Sequence, residues 1–157
     1  MPRRRWGFGF IAVLAWLTAG CGGGANQADE APVLDIGAMT CAACGMTLQN
    51  PTYAAAARDA SGKLLAFDSI ECAVQHGRRL GGADETLRFW LPDFDTDDHA
   101  LHPAESMTVV KAGYPSPMGG GYAAFLSPDR AAAEASARGG IAGSLEAFIL
   151  GTARKQP

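Results

Sequence analysis

The sequence predicts an α+β fold of two similar ββαβ lobes in tandem, which follow a signal peptide and a flexible tether. One observation behind this prediction is an internal repeat, because segment 66–82 matches segment 124–140 in its alanines, its Phe, its Ser and its final Gly-Gly pair. The other is the residue pattern around each copy, which predicts strand, strand, helix and strand in that order. Since the helix starts and stops agree between the copies, a duplication is the better explanation.

The first half begins with two short strands separated by a Ser-Gly turn. Ser69 is a good helix cap, and Glu71 follows in the first turn, where a negative charge is favourable. Pro92 is expected to stop the last strand of this half. The predicted elements are strands at 53–58 and 63–67, a helix from 70 to Gly81-Gly82, and a strand at 87–91.

The second half repeats this order after a polar loop. Ser127 and Pro128 favour a helix start, with Ser at the cap and Pro in the first turn. The apolar segment 145–150 fits either a last strand or a short helix. The predicted elements are a polar loop at 93–103, a strand at 107–111, a loop at 113–121, a strand at 122–126 and a helix that ends at Gly139-Gly140.

The chain begins with three arginines, an apolar run and Leu17-Thr-Ala-Gly-Cys21, a pattern that resembles a bacterial lipoprotein signal. Such a signal predicts removal of residues 1–20 and a lipid on Cys21. Residues 21–33 are small and polar and form a tether, and the two lobes are expected at 34–92 and 93–157. The protein would lie on the periplasmic side of the cell envelope. Because Gly22 is not the Asp linked to inner-membrane retention, the outer membrane is favoured.

Charge and motifs exclude some classes of function. The formal net charge is −3 and no basic run follows the leader, which argues against nucleic acid as a partner. The sequence has no nucleophile elbow, Walker loop, HExxH or dinucleotide motif. An enzyme therefore has no positive support, and we expect none.

The densest chemistry in the chain lies between Met39 and Met46, where two thiols and two thioethers occur close together. Thiolates and thioethers are soft ligands that select Cu(I). Within Cys44-Gly-Met46, the glycine lets the backbone bend tightly between two sulfur donors. A buried Cys beside a core Met is the alternative, but the segment lies in a loop ahead of the first strand.

Other candidate ligands lie further along the chain. Met118 stands beside three glycines in a loop, where it could swing towards a metal and away. Cys72 and His76 are four residues apart on one helix face, so they could hold a metal or be a buried Cys with a surface His, and the sequence leaves both open. His99 and His102 follow an aspartate-rich stretch and are expected to be solvated, or at most a weak Cu(II) site.

Taken together, these pieces resemble the NosL family of nitrous oxide reductase accessory lipoproteins. The resemblance rests on the lipobox ending in Cys21, on Cys44-Gly-Met46, and on the segments 67–72 and 117–125. It implies two ββαβ lobes and a periplasmic Cu(I) carrier that supplies the copper-sulfide centre of nitrous oxide reductase in denitrification. It also implies Cys44, Met46 and Met118 as copper ligands. Cys41 departs from the family pattern and could form a disulfide with Cys44.

The leading hypothesis is therefore a lipid-anchored Cu(I) chaperone whose partners are copper, the membrane, and nitrous oxide reductase or its assembly machinery. Cys44, Met46 and Met118 are the main predicted ligands, with Cys41, Cys72 and His76 as further candidates. Copper would bridge the lobes and order the glycines at 119–121. One alternative is a thiol–disulfide redox lipoprotein that uses Cys41 and Cys44, and another is a structural envelope lipoprotein with no metal.

Overall fold

Two small antiparallel sheets, one from each half of the chain, form the framework of the protein. The computed structural model describes residues 30–81 and 87–154. The predicted leader, the predicted lipidation site Cys21, most of the predicted tether and Gly82 lie outside these ranges. The strands are β1 (Ala55–Arg58), β2 (Leu64–Phe67), β3 (Arg88–Pro92), β4 (Leu101–Pro103), β5 (Thr108–Lys111), β6 (Tyr122–Phe125) and β7 (Ile141–Gly143). The helices are α1 (Ile70–Arg79), α2 (Pro128–Ala137) and α3 (Leu145–Leu150), with a 3-10 turn at Ala104–Ser106.

The two sheets have the same internal topology. The strand order is β2-β1-β3-β4 in the first sheet and β6-β5-β7 in the second, and neighbouring strands are antiparallel. In each sheet the first strand lies in the middle, and a helix connects the strands on either side of it. The predicted pair of ββαβ lobes is confirmed, and the first lobe gains an extra edge strand, β4.

Local residue chemistry accounts for the start of both long helices. The Ser69 hydroxyl accepts a hydrogen bond from the Cys72 amide at 3.4 Å, and the Ser127 hydroxyl accepts one from the Arg130 amide at 3.3 Å. Each serine satisfies an amide of the first turn that has no partner within the helix. These caps place Cys72 in the first turn of α1, which matters for the site described below.

The structure corrects the prediction for the polar loop at 93–103, because this segment contains strand β4. Pro92 does not stop the preceding strand but is its last residue, paired with Leu101. Pairing between β3 and β1 ends at Trp90, so no β1 residue requires a hydrogen bond from position 92. The missing backbone N–H of Pro92 is therefore tolerated there. The first sheet therefore recruits residues beyond position 92. At the other end of the chain, segment 145–150 is the short helix α3, and strand β7 precedes it.

Helix α1 joins the two halves. The larger apolar core contains Phe67 and Cys72 from the first half together with Val109 and Phe148 from the second. The Arg78 guanidinium donates hydrogen bonds to the carbonyl of Phe148 at 2.7 Å and to that of Ile149 at 3.3 Å, at the end of α3. Among the described residues, no helix is both long and apolar enough to span a bilayer.

Candidate metal centre

Three thiols converge at one end of helix α1. The sulfur atoms of Cys41, Cys44 and Cys72 all lie within 4.8 Å of one another. Cys41 and Cys72 are buried, Cys44 is exposed, and all three are free thiols. In the described part of the chain this is the one group of three or more His, Cys, Asp or Glu side chains with such spacing.

A tight loop of residues 40–47, called the thiol loop, brings Cys41 and Cys44 together. The loop is closed by a β-bridge between Thr40 and Thr47, and the Cys41 amide donates to the Met46 carbonyl at 2.8 Å. At the far end, the Gly45 amide donates to the Cys41 carbonyl at 2.9 Å, with Gly45 in the left-handed region at φ 78°. The expected role of this glycine in bending the backbone is thus observed.

The same loop lies against the first lobe, where it meets Cys72. The Ala42 amide donates to the Ala66 carbonyl of β2 at 2.8 Å, and Arg79 donates to the Ala43 carbonyl at 3.2 Å. Strand β2 leads directly into α1, so a loop that pairs with the end of β2 faces the first turn of the helix. This docking places the two loop thiols beside Cys72.

The surroundings give the two buried thiols different affinities for protons. Burial raises the pKa of the Cys41 thiol, but the backbone N–H groups of Asp68, Cys44 and Ala43 and the Cys44 side chain outweigh this and lower it below its usual value. Burial raises the pKa of Cys72 to about 12, against a lowering hydrogen bond with Ser69 and with added repulsion from the other two thiols. Of the two buried thiols, Cys41 is thus the more readily ionised, and metal binding must displace a proton from Cys72.

The other predicted ligands are placed as follows. His76, proposed as a partner of Cys72, is outside the thiol group, and its ring lies 5.2 Å from that of Phe67. Burial, followed by the charge of Arg79, lowers the pKa of His76. His102 lies in β4 and His99 just before it, and neither belongs to the thiol group. Both are half-buried, which corrects the prediction that they are solvated loop residues.

Both candidate thioethers are on the surface. Met46 is 49% exposed in the thiol loop, and Met118 is 39% exposed in the loop between β5 and β6. That second loop is attached to α1, because Ser116 and Gly120 donate hydrogen bonds to the carboxylate of Glu71, the residue before Cys72. Copper ligation by Met46 and Met118 stays a prediction.

Comparison with known proteins supports the architecture. No family model matches the chain, and no curated protein matches it. The crystal structure of the copper chaperone NosL from Shewanella denitrificans superimposes with a TM-score of 0.61 and 16% sequence identity, over 73% of this chain and 92% of that chain. The fold is that of NosL. At this identity the likeness is one of fold, and it agrees with the tandem lobes predicted from the repeat.

The spacing of the three sulfur atoms suits a three-coordinate soft metal. With metal–sulfur bonds of about 2.3 Å, trigonal ligation places sulfur atoms about 4 Å apart. The observed limit of 4.8 Å is therefore close to a binding geometry. Sequence reasoning favoured Cys44 and treated Cys41 and Cys72 as secondary, since nothing in the local spacing reveals that Cys72 meets the loop. One sequence signal could have indicated this contact. Cys72 lies in the first turn of α1, which begins right after strand β2 and the helix cap Ser69.

Proposed function

We propose that the protein binds one Cu(I) ion through the thiols of Cys41, Cys44 and Cys72 and passes it to a client protein. The observation that carries this proposal is the convergence of the three sulfur atoms within 4.8 Å. Thiolates are the ligands that favour Cu(I) over harder metals. The fold shared with a copper chaperone supports the same conclusion.

Transfer, rather than permanent retention, fits the difference in exposure among the thiols. Two thiols are buried and hold the ion from within, while Cys44 is exposed and accessible to an incoming ligand. Structural zinc sites almost always use four protein ligands, whereas this group supplies three. A fourth position that no thiol occupies lets a client ligand attack before the carrier releases the ion, so the proposed carrier role needs no catalysis.

The thioethers of Met46 and Met118 are proposed as exchangeable ligands at the fourth position, which a client ligand can displace. Met46 follows Gly45 in the same tight loop as Cys41 and Cys44, and both methionines are exposed. A thioether carries no proton near neutral pH, so it can take up the ion without acid–base cost during loading or release. His76 is not needed in this ligand set.

The proposed setting is the periplasmic face of the cell envelope, with a lipid on Cys21 and the outer membrane favoured. The client is proposed to be nitrous oxide reductase or its assembly machinery, where the ion would enter the copper-sulfide centre. This part rests on the lipobox and on the sequence motifs that resemble the NosL family.

Anaerobic Cu(I) titration against a competing chelator tests the metal proposal. Wild-type protein should bind one ion per chain, and each of C41S, C44S and C72S should weaken binding by about tenfold or more. The variant L80A, at an exposed residue near the end of α1, is the control and should bind like wild type. Wild-type affinity in all three cysteine variants would refute the thiol site.

A second candidate is thiol–disulfide exchange through Cys41 and Cys44. It is favoured by the lowered pKa of Cys41 and by the exposed Cys44 thiol hydrogen-bonded to it. An insulin reduction assay with dithiothreitol as the electron source separates the two functions. Turnover that is lost in C41S supports exchange, and a rate equal to that of dithiothreitol alone supports the carrier. The two roles can also be joined, with reduction of a Cys41–Cys44 disulfide preceding copper loading.

A further inference from the structure

We propose that Glu71 is a positioning residue, which holds the backbone of the Met118 loop against the turn of α1 that carries Cys72, so that less loop ordering is needed when the thioether takes up the ion. This inference rests on the proposed function, because it concerns a ligand of the same ion. It adds a residue that carries no metal itself.

The Glu71 side chain connects the two halves of the chain at one carboxylate oxygen. Glu71 is only 3% exposed, although it lies in the first turn of α1. Its Oε1 accepts a hydrogen bond from the Ser116 hydroxyl and a second from the Gly120 amide at 3.0 Å. The Ser116 oxygen in turn accepts from the Gly121 amide at 3.1 Å. One helix side chain thus fixes a loop that belongs to the other lobe.

The two attachment points lie symmetrically about Met118, two residues before it and two residues after it. The backbone on both sides of Met118 is therefore held, while the residue itself is 39% exposed. This arrangement limits where the sulfur can reach without fixing the rotamer. Because Cys72 directly follows Glu71, the loop is held to the same helical turn as one of the thiols.

The close fit at Gly120 indicates that the loop is shaped for this carboxylate. A β-carbon at Gly120 would lie 2.9 Å from both Cβ and Cγ of Glu71. The ends of the loop also approach closely, because a β-carbon at Gly121 would lie 2.7 Å from the amide nitrogen of Gly113. Gly120 therefore allows the loop to approach Glu71 closely, and Gly121 allows the end of the loop to approach its start at Gly113.

Burial of the Glu71 carboxylate costs free energy, which indicates that its contact with the Met118 loop has a functional role. The second oxygen of Glu71, Oε2, is buried and has no hydrogen-bond partner. Burying a carboxylate with incomplete hydrogen bonding is unfavourable, and a packed apolar residue could fill the same space. What an apolar residue could not do is hold a hydroxyl and an amide of a distant loop at one point. Loss of loop mobility before binding lowers the entropy cost of recruiting Met118.

A double-mutant cycle in the Cu(I) competition assay tests this role. M118A should weaken Cu(I) binding by about tenfold, and E71A by about three- to tenfold. The double variant E71A/M118A should be no weaker than M118A alone, because Glu71 acts through Met118. E71Q should bind within about twofold of wild type, since its amide oxygen can still accept both hydrogen bonds.

Controls separate positioning from general stability. E146A removes a glutamate from the same helical position in α3, where the side chain is exposed, and should leave Cu(I) affinity unchanged. S116A removes one hydrogen bond of the loop to Glu71 and should weaken Cu(I) binding, as E71A does. If E71A does not fold, the Cu(I) affinity of S116A tests the positioning role in its place. In the copper-free protein, E71A should also speed proteolysis at Gly119–Gly121.

Two results would overturn the proposal. One is additive losses in E71A/M118A, and the other is wild-type affinity in both E71A and S116A when M118A is weakened. If wild-type protein binds no Cu(I), the proposed function fails and this inference fails with it. If the wild-type protein binds Cu(I), and E71A and S116A bind it with the same affinity, the proposed copper site stands and the positioning role of Glu71 is refuted.

Discussion

At the scale of single residues, the environment makes three chemically identical thiols unequal. Cys41 accepts hydrogen bonds from backbone N–H groups, which favour its thiolate form. Cys72 is 0% exposed in the core, and this burial favours its protonated form. Cys44 alone of the three is exposed. An incoming ion would meet Cys44 first and reach the buried pair afterwards, and on transfer the ion would leave the buried pair before it leaves Cys44. The division of labour follows from burial and hydrogen bonding, not from residue type.

The raised pKa of Cys72 predicts a loss of stability at alkaline pH in the metal-free, reduced protein. The unfolded thiol titrates near 9.0 and the folded thiol at about 12, so the folded state binds the proton more tightly. Stability from this group is complete below pH 9 and falls as the pH rises towards 12, by up to about 1.4 kcal/mol per pH unit. Cys41 has the opposite sign, since its folded pKa is lowered and its contribution is lost as the pH falls through that value.

Urea unfolding of wild type and C72A between pH 8 and 11 measures this effect. The free energy of unfolding should decrease less steeply above pH 9 in C72A than in wild type. V74A removes a buried group from the same helix without removing a titratable one, so it should lower stability by the same amount at every pH. Parallel curves for wild type and C72A would show that Cys72 is not the group responsible.

At the scale of elements, local signals predicted the helices well and the site only in part. The serine caps, the strand that ends in Phe67 and the helix stops ahead of Gly81 and Gly139 are short-range features, and the structure confirms them. Strand β4 was missed because its three residues form a strand only through pairing with β3. The meeting of Cys72 with the thiol loop was missed for a related reason, since it depends on the loop docking against β2. Contacts of this kind leave no periodic pattern in the sequence.

The thiol loop depends on a glycine, which allows a matched pair of substitutions. Gly45 has φ 78° and Gly62 has φ 82°, and a β-carbon at either position would meet nothing within 4 Å. Alanine at each should cost about 1 to 2 kcal/mol of stability from backbone strain alone. Only G45A should also weaken Cu(I) binding, because Gly45 joins Cys44 to Met46 while Gly62 lies in the β1–β2 turn. Chemical unfolding and chelator competition on both variants check this, and equal Cu(I) affinities would show that the loop tolerates the strain.

At the scale of the whole molecule, the two lobes share a topology but not a role. The repeat aligns Glu71 and Cys72 of α1 with Asp129 and Arg130 of α2. Arg130 forms an ion pair with Asp95 at 2.9 Å, so the second lobe has a surface salt bridge where the first has a buried thiol. The first lobe thus holds the thiols, while the second contributes the loop that carries Met118. The two halves therefore share a topology but differ in their side chains, and the proposed copper site with Met118 needs both halves.

This dependence predicts that the halves unfold together. Ile149 of α3 packs on Gly77 of α1, where a β-carbon would lie 2.8 Å from its Cδ1 atom. I149A should therefore destabilise the protein by about 2 kcal/mol or more, and it should do so in both lobes although the change lies in the second.

Two probes measure the stability of each lobe separately. Trp90 is fully buried in β3 and reports on the first lobe by fluorescence. Hydrogen exchange of the β6 and α2 amides reports on the second. Both probes should give the same urea midpoint in wild type and shift by the same amount in I149A. S136A, at an exposed position of α2, is the control and should move neither midpoint. A shift confined to the second-lobe probe would mean that the lobes are independent, and the common core around α1 would then not couple them.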